Sequence, residues 1–197
     1  MPRCVLVHGW GGVGNREYGK NHVDRLGPLV EARGWTVEQF DWDIGYFSWH
    51  PIYMWHLGAR LAERAQPGDM AIGNSTGASI IYEALKRGAP FRRVIFTSPN
   101  LMVDPTFPVS GQLEKVSVWH APSDKVVQSA ARGASFLPGS PWGAMGAGGY
   151  VGSDPRVQNY DKENDYSLSA AAHADVFGDA VFSFWGPLIV EDVPNLK

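Results

Sequence analysis

Residues 69–85 read Asp-Met-Ala-Ile-Gly-Asn-Ser-Thr-Gly-Ala-Ser-Ile-Ile-Tyr-Glu-Ala-Leu. The short apolar run Asp69–Gly73 reads as a buried strand, and Ser75 to Lys86 as a helix stopped by Gly88. Gly73-Asn74-Ser75-Thr76-Gly77 joins them. A turn this tight takes glycine on either side and pushes the central hydroxyl out above the sheet. Ser75 is therefore the candidate nucleophile. In a chain with 23 Gly among 197 residues the pentapeptide alone is a weak signal. Its position between a strand and a helix gives it meaning.

Outward from this turn, strands and helices alternate, the pattern of a parallel sheet with helices packed on its faces. Strands are expected at Cys4–Val7, Thr36–Trp42, Arg93–Thr97, Lys115–His120 and Arg156–Tyr160. Apolar spacing predicts helices over 21–33, 51–65, 125–136 and 174–185. Residues 138–153 carry six glycines and two prolines and read as a long loop. With no linker and no internal repeat, residues 1–197 are expected to form one α/β domain, a mostly parallel sheet flanked by helices on both faces.

Composition narrows the function. A net charge of −3 without a basic cluster argues against nucleic acid as a partner. No uncharged run of 18 residues could span a bilayer, and the first residues lack a signal-peptide pattern, so a cytoplasmic protein is expected. The single cysteine, Cys4, lies inside an apolar run and reads as a buried, inert thiol. No His-x-x-x-His or paired-cysteine spacing suggests a metal site, and no cofactor is expected. Gly14 to Asn21 matches a phosphate-binding loop except at its last position, where Asn21 stands for Ser or Thr. It also starts seven residues beyond the strand that should lead into it, which disfavours a nucleotide site.

With His8-Gly9-Trp10-Gly11-Gly12 after the first strand, the chain resembles the α/β-hydrolase superfamily. The resemblance extends over essentially the whole chain and implies a Ser–His–Asp triad. It implies oxyanion donors at the backbone N–H groups of Trp10 and Thr76. Asp124, in Ser123-Asp124-Lys125-Val126-Val127, matches the family's acid after the preceding strand; the same spacing also suits a helix N-cap. Asp104 is the alternative acid. His173, beyond the acid and just before the expected last helix, matches the family's base. The order Ser75, Asp124, His173 is the order of that superfamily.

Two departures stand out. Asn74 precedes the serine where many relatives have His, and the glycine run 142–149 is unusual; it is expected to fold over the site. About fifteen residues separate Ser98-Pro99 from the strand at Lys115, too few for a helical lid, so the resemblance is to small, lidless members. Seven aromatics in residues 40–55 suggest an acyl or aryl pocket. Trp42, Tyr46, Phe47, Trp49, Trp142 and Met145 are its candidate walls. The expected function is hydrolysis of a small-molecule carboxylic ester with an apolar acyl group. An amidase or peptidase of the same fold and a non-catalytic binding protein are the alternatives, and the oligomeric state stays open.

Overall fold

A computed structural model describes residues 2–9, 23–42, 50–109, 112–134, 142–166, 173 and 175–196. Six strands form one sheet: β1 (Arg3–Val7), β2 (Thr36–Phe40), β3 (Met70–Asn74), β4 (Arg93–Thr97), β5 (Lys115–His120) and β6 (Val157–Asp161). Their order is β2-β1-β3-β4-β5-β6, and every pairing is parallel. The helices are α1 (Gly27–Glu31), α2 (Pro51–Arg64), α3 (Thr76–Lys86), α4 (Lys125–Ala134), α5 (Met145–Gly148) and α6 (Phe182–Ile189).

Strand side chains alternate between two cores, as the period of two requires. Val5, Val7, Ala71, Val94, Phe96 and Val116 face the layer of α2 and α3, with Met54, Leu57, Leu61 and Ile81. Cys4, Leu6, Met70, Ile72, Ile95 and Trp119 face the opposite layer, with Leu26, Val30, Trp185 and Ile189. At the amino end of the sheet, Arg3 bridges Glu38 and the buried Asp69, each at 2.6 Å, and so ties three strands together. Cys4 is fully buried, and burial pushes its thiol pKa up. Between β4 and β5 the described residues carry no helix.

Three expectations need correction. The helix predicted over 21–33 begins as a 3-10 turn at Val23–Leu26, and its α-helical part is only Gly27–Glu31. Pro28 explains this, since its ring suits the first turn of a helix and not its interior. The helix predicted over 174–185 divides into a 3-10 turn, Asp175–Phe177, and α6. Gly178 separates them, and α6 runs on past Pro187 because Trp185 and Ile189 anchor it in the core. The loop predicted over 138–153 contains α5, a single turn whose Met145 is fully buried.

The sheet and α3 meet with no space to spare. A Cβ on Gly77 would stand 2.1 Å from the Val7 carbonyl oxygen, and one on Gly73 would stand 2.7 Å from the Ile81 side chain. These contacts bring the start of α3 against the end of β1. Gly77→Ala is expected to destabilise the fold by about 3 kcal/mol, the upper range for overpacking. Gly133→Ala, on α4 with open space around it, should stabilise by about 0.5 kcal/mol through helix propensity. Urea denaturation of both variants measures the contrast.

Candidate active site

Ser75 lies between the last residue of β3 and the first of α3, with φ 52° and ψ −118°. A serine in the left-handed half of the map is strained, and such residues persist only where the surroundings hold them. Here the Ser75 amide donates to the Thr97 carbonyl at 3.0 Å, and the Asn74 side-chain amide donates to the same carbonyl at 3.1 Å. Asn74 thus ties the turn to the end of β4. Gly9 lies against the other side, where an added Cβ would come within 3.0 Å of the Ser75 Cβ. The loop after β1 therefore passes directly beside the candidate nucleophile.

Thr76 opens α3, so its N–H belongs to the first turn, where amides have no partner within the helix. Its hydroxyl accepts from Asn100 Nδ2 at 3.2 Å, and Asn100 Oδ1 accepts from Ser79 Oγ at 2.6 Å. This buried polar trio ties the first turn of the helix to the segment after β4.

Asp124 is fully buried at the start of α4 and uses its two oxygens separately. Oδ1 accepts the Val127 amide at 3.0 Å, an N-cap bond, and Oδ2 stands 3.1 Å from His173 Nδ1. Both readings of the Ser123-Asp124 sequence therefore apply to one side chain. Burial pushes its pKa upward. The His173 hydrogen bond and charge, the Val127 amide and the Lys162 charge outweigh it and hold the carboxyl below the usual range. A carboxylate only accepts, so His173 Nδ1 carries the proton and Nε2 is left as the basic nitrogen. His173 has φ 36°, and its carbonyl accepts from Ser98 Oγ at 2.7 Å.

Ser75, Ser98 and Asp124 follow the carboxyl ends of β3, β4 and β5, three adjacent parallel strands. Neighbouring strands lie about 4.8 Å apart. The structure thus joins Asp124 to His173 directly and anchors His173 through Ser98, whose strand adjoins that of Ser75. Asp104 is exposed and lines a different feature, a groove of about 730 Å³ with Phe107, Tyr150 and Arg156.

The expected pocket walls fare differently. Trp42 is 2% exposed and stacks on His8 at 5.0 Å between ring centroids, and Met145 is 0% exposed; both are core residues. Trp142 is half-buried and bridges to Leu101. Trp10, Tyr46, Phe47, Trp49 and the Gly14–Asn21 segment lie outside the described residues. The glycine run packs on the loops after β4 and β5. Gly146 donates to the Pro99 carbonyl at 2.6 Å and accepts from Ala121 at 2.8 Å, and Gly149 packs on His120. Glycine here permits close approach of the segment to the loops after β4 and β5.

Sequence reasoning passed over Lys162. It follows β6, is fully buried, and donates from Nζ to Ser98 Oγ at 2.8 Å. Burial pushes its pKa down to about 8, against the pull of Asp124, Asp175 and Glu163. A lysine inside the polar run 161–165 shows no sign of burial in the sequence.

Among the described residues, no three His, Cys, Asp or Glu side chains group as a metal site would require, and no helix is long and apolar enough to cross a membrane.

No family model and no curated protein sequence matches the chain. Solved structures do. A presumed hydrolase of the alpha/beta superfamily from Xanthomonas campestris overlays with a TM-score of 0.52 at 18% identity, covering 98% of each chain. A pyrethroid hydrolase overlays with a TM-score of 0.47 at 15% identity over the whole of both chains. A monoacylglycerol lipase from Paleococcus ferrophilus gives 0.38 at 17% identity, covering all of this chain and 71% of its own. The first overlay and the all-parallel sheet give the chain an α/β-hydrolase fold.

Asp124→Asn should lower stability at neutral pH. A depressed carboxyl pKa contributes stability above its unfolded value of 3.8, lost as pH falls toward the lower folded value. The gap between native protein and variant in thermal melts should therefore close as pH drops below about 4.

Proposed function

We propose that the chain is a serine hydrolase that cleaves a carboxylic ester through an acyl-enzyme. The observation that carries this reading is the hydrogen bond between buried Asp124 and His173, whose carbonyl is bonded to Ser98 at the end of the strand next to that of the strained Ser75. Each group then has a role its environment suits. Asp124, ionised and accepting only, keeps the imidazole proton on Nδ1 and stabilises the imidazolium that forms later. Nε2 of His173 takes the proton from Ser75 Oγ as the oxygen attacks the ester carbonyl. The first-turn amide of Thr76, supported by the positive end of α3, and the Trp10 amide stabilise the tetrahedral oxyanion. The imidazolium protonates the leaving alcohol, and water then attacks the acyl-enzyme by the same route in reverse.

The name of the Xanthomonas protein agrees in reaction class, and the absence of a helix among the described residues between β4 and β5 suits a small ester rather than a substrate held under a lid. Half-buried Trp142 remains a candidate wall for the acyl side.

A fluorophosphonate probe should label the native protein and fail to label Ser75→Ala. Turnover of p-nitrophenyl esters should fall at least about 10⁴-fold in Ser75→Ala, His173→Ala and Asp124→Asn. Asp104→Asn should leave it within about twofold, since surface substitutions cost little. A silent Asp104→Asn with an active Asp124→Asn would reverse the assignment of the acid. Chain lengths from acetate to decanoate, with matching anilides, would define the acyl range and the preference for ester over amide.

A further inference from the structure

We propose that Lys162 is a positioning residue for the His173–Asp124 pair, acting through Ser98. The proposal rests on the serine-hydrolase reading above and adds a fourth strand end to its site.

A buried lysine needs a reason. Taking an ammonium out of water is costly, and a buried charge persists only where hydrogen bonds and opposite charges hold it. Lys162 nevertheless lies fully buried one residue past β6, the one lysine or arginine in the buried set among the described residues. Its backbone amide donates to the His120 carbonyl at 2.8 Å, continuing the β5–β6 ladder and fixing where the side chain starts. Its Nζ then donates to Ser98 Oγ at 2.8 Å.

That bond decides what Ser98 can do. A serine hydroxyl has one proton and two acceptor positions. With Lys162 donating to the oxygen, the proton is free to point elsewhere, and it goes to the His173 carbonyl at 2.7 Å. The path Lys162 to Ser98 to His173 is therefore one-directional, and each bond polarises the next. Its end point is the backbone of a residue with φ 36°, a conformation uncommon outside glycine. Ser98 is itself strained, at φ 46°, and fully buried. Two strained residues joined by one hydrogen bond are held from below by a buried cation. His173 thus has two restraints, Asp124 on its ring and Ser98 on its carbonyl.

The charge has a second effect. Asp124, Asp175 and Glu163 face the ammonium as anions, and His120 at the end of β5 lies within its field. The Lys162 charge is among the causes that keep the Asp124 carboxyl ionised. Removing it makes protonation of the Asp124 carboxyl easier, so the acidic limb of the pH–rate profile moves to higher pH.

Lys162→Met, similar in length and apolar, separates positioning from mere support. Expected are a thermal midpoint below the native one, kcat for a p-nitrophenyl ester at least about tenfold lower, and KM within about twofold. The acidic limb of kcat should lie at higher pH than in the native protein. A variant with native kcat and a native acidic limb would overturn the proposal, and so would a loss of activity matched by a loss of thermal stability with the limb unmoved. Should Lys162→Met fail to fold, Ser98→Ala decides. It keeps the cation and removes the link, so a lowered kcat with the acidic limb in place supports the path, and undiminished kcat refutes it. Fluorophosphonate labelling of the native protein runs alongside: absence of labelling there overturns the hydrolase reading itself, and the proposal with it. Labelling of the native protein with an unaffected Lys162→Met overturns the proposal alone.

Discussion

The first turn of α3 presses on the end of β1, where the α-carbon of Gly77 meets the Val7 carbonyl and Gly73 meets the side of the helix. This approach leaves Ser75 as the one residue able to turn the chain from strand to helix, and it does so at φ 52°. The strain is held by bonds from Ser75 and Asn74 to the same Thr97 carbonyl on the neighbouring strand. A loosening at Gly77 would release the turn, move the first amides of α3 and shift the serine. The rest of the candidate site is arranged around that fixed point.

The second organising feature is charge kept out of water at the carboxyl rim of the sheet. Asp124 is a buried anion satisfied on both oxygens, by the Val127 amide and by His173. Lys162 is a buried cation close enough to lower the Asp124 pKa, with Ser98 between it and the histidine backbone. Such pairs contribute little net stability, since desolvation offsets much of the attraction. They do restrict geometry, because a buried polar group that loses its partner costs more than the bond contributed. The polar trio of Ser79, Asn100 and Thr76 works likewise on the other side of the serine. Apolar packing sets the sheet; directional bonds set its rim.

Much of this was legible residue by residue. The strands showed as apolar runs because both faces of a parallel sheet are covered, and Arg93–Thr97 and Lys115–His120 have the bounds their patterns suggest. Helix 51–65 was marked by Pro51 at its start and Pro67 after its end. Asp124 was visible twice, as an acid and as a cap. The aromatic stretch was less informative, because Trp42 packs into the core and a sequence cannot say which aromatic side chains are covered. The glycine run was less informative for a related reason. Glycine signals freedom to a reader of sequence, while Gly146 and Gly149 serve here to let backbone approach Ser98, Pro99 and His120.

The sequence by itself determined the alternation of strand and helix, the turn at Ser75 and the chain order of the three candidate residues. These are local matters, governed by side-chain periodicity and by which residues a turn admits. Only the tertiary structure decided that His173 meets Asp124 and not Asp104, and that its carbonyl is taken by Ser98. It alone revealed that Lys162, in a polar run that reads as solvated, is sealed beneath them. The reason is that burial and partnership between residues 64 or 75 positions apart follow from how neighbouring strands are ordered in the sheet, and no local pattern encodes that order.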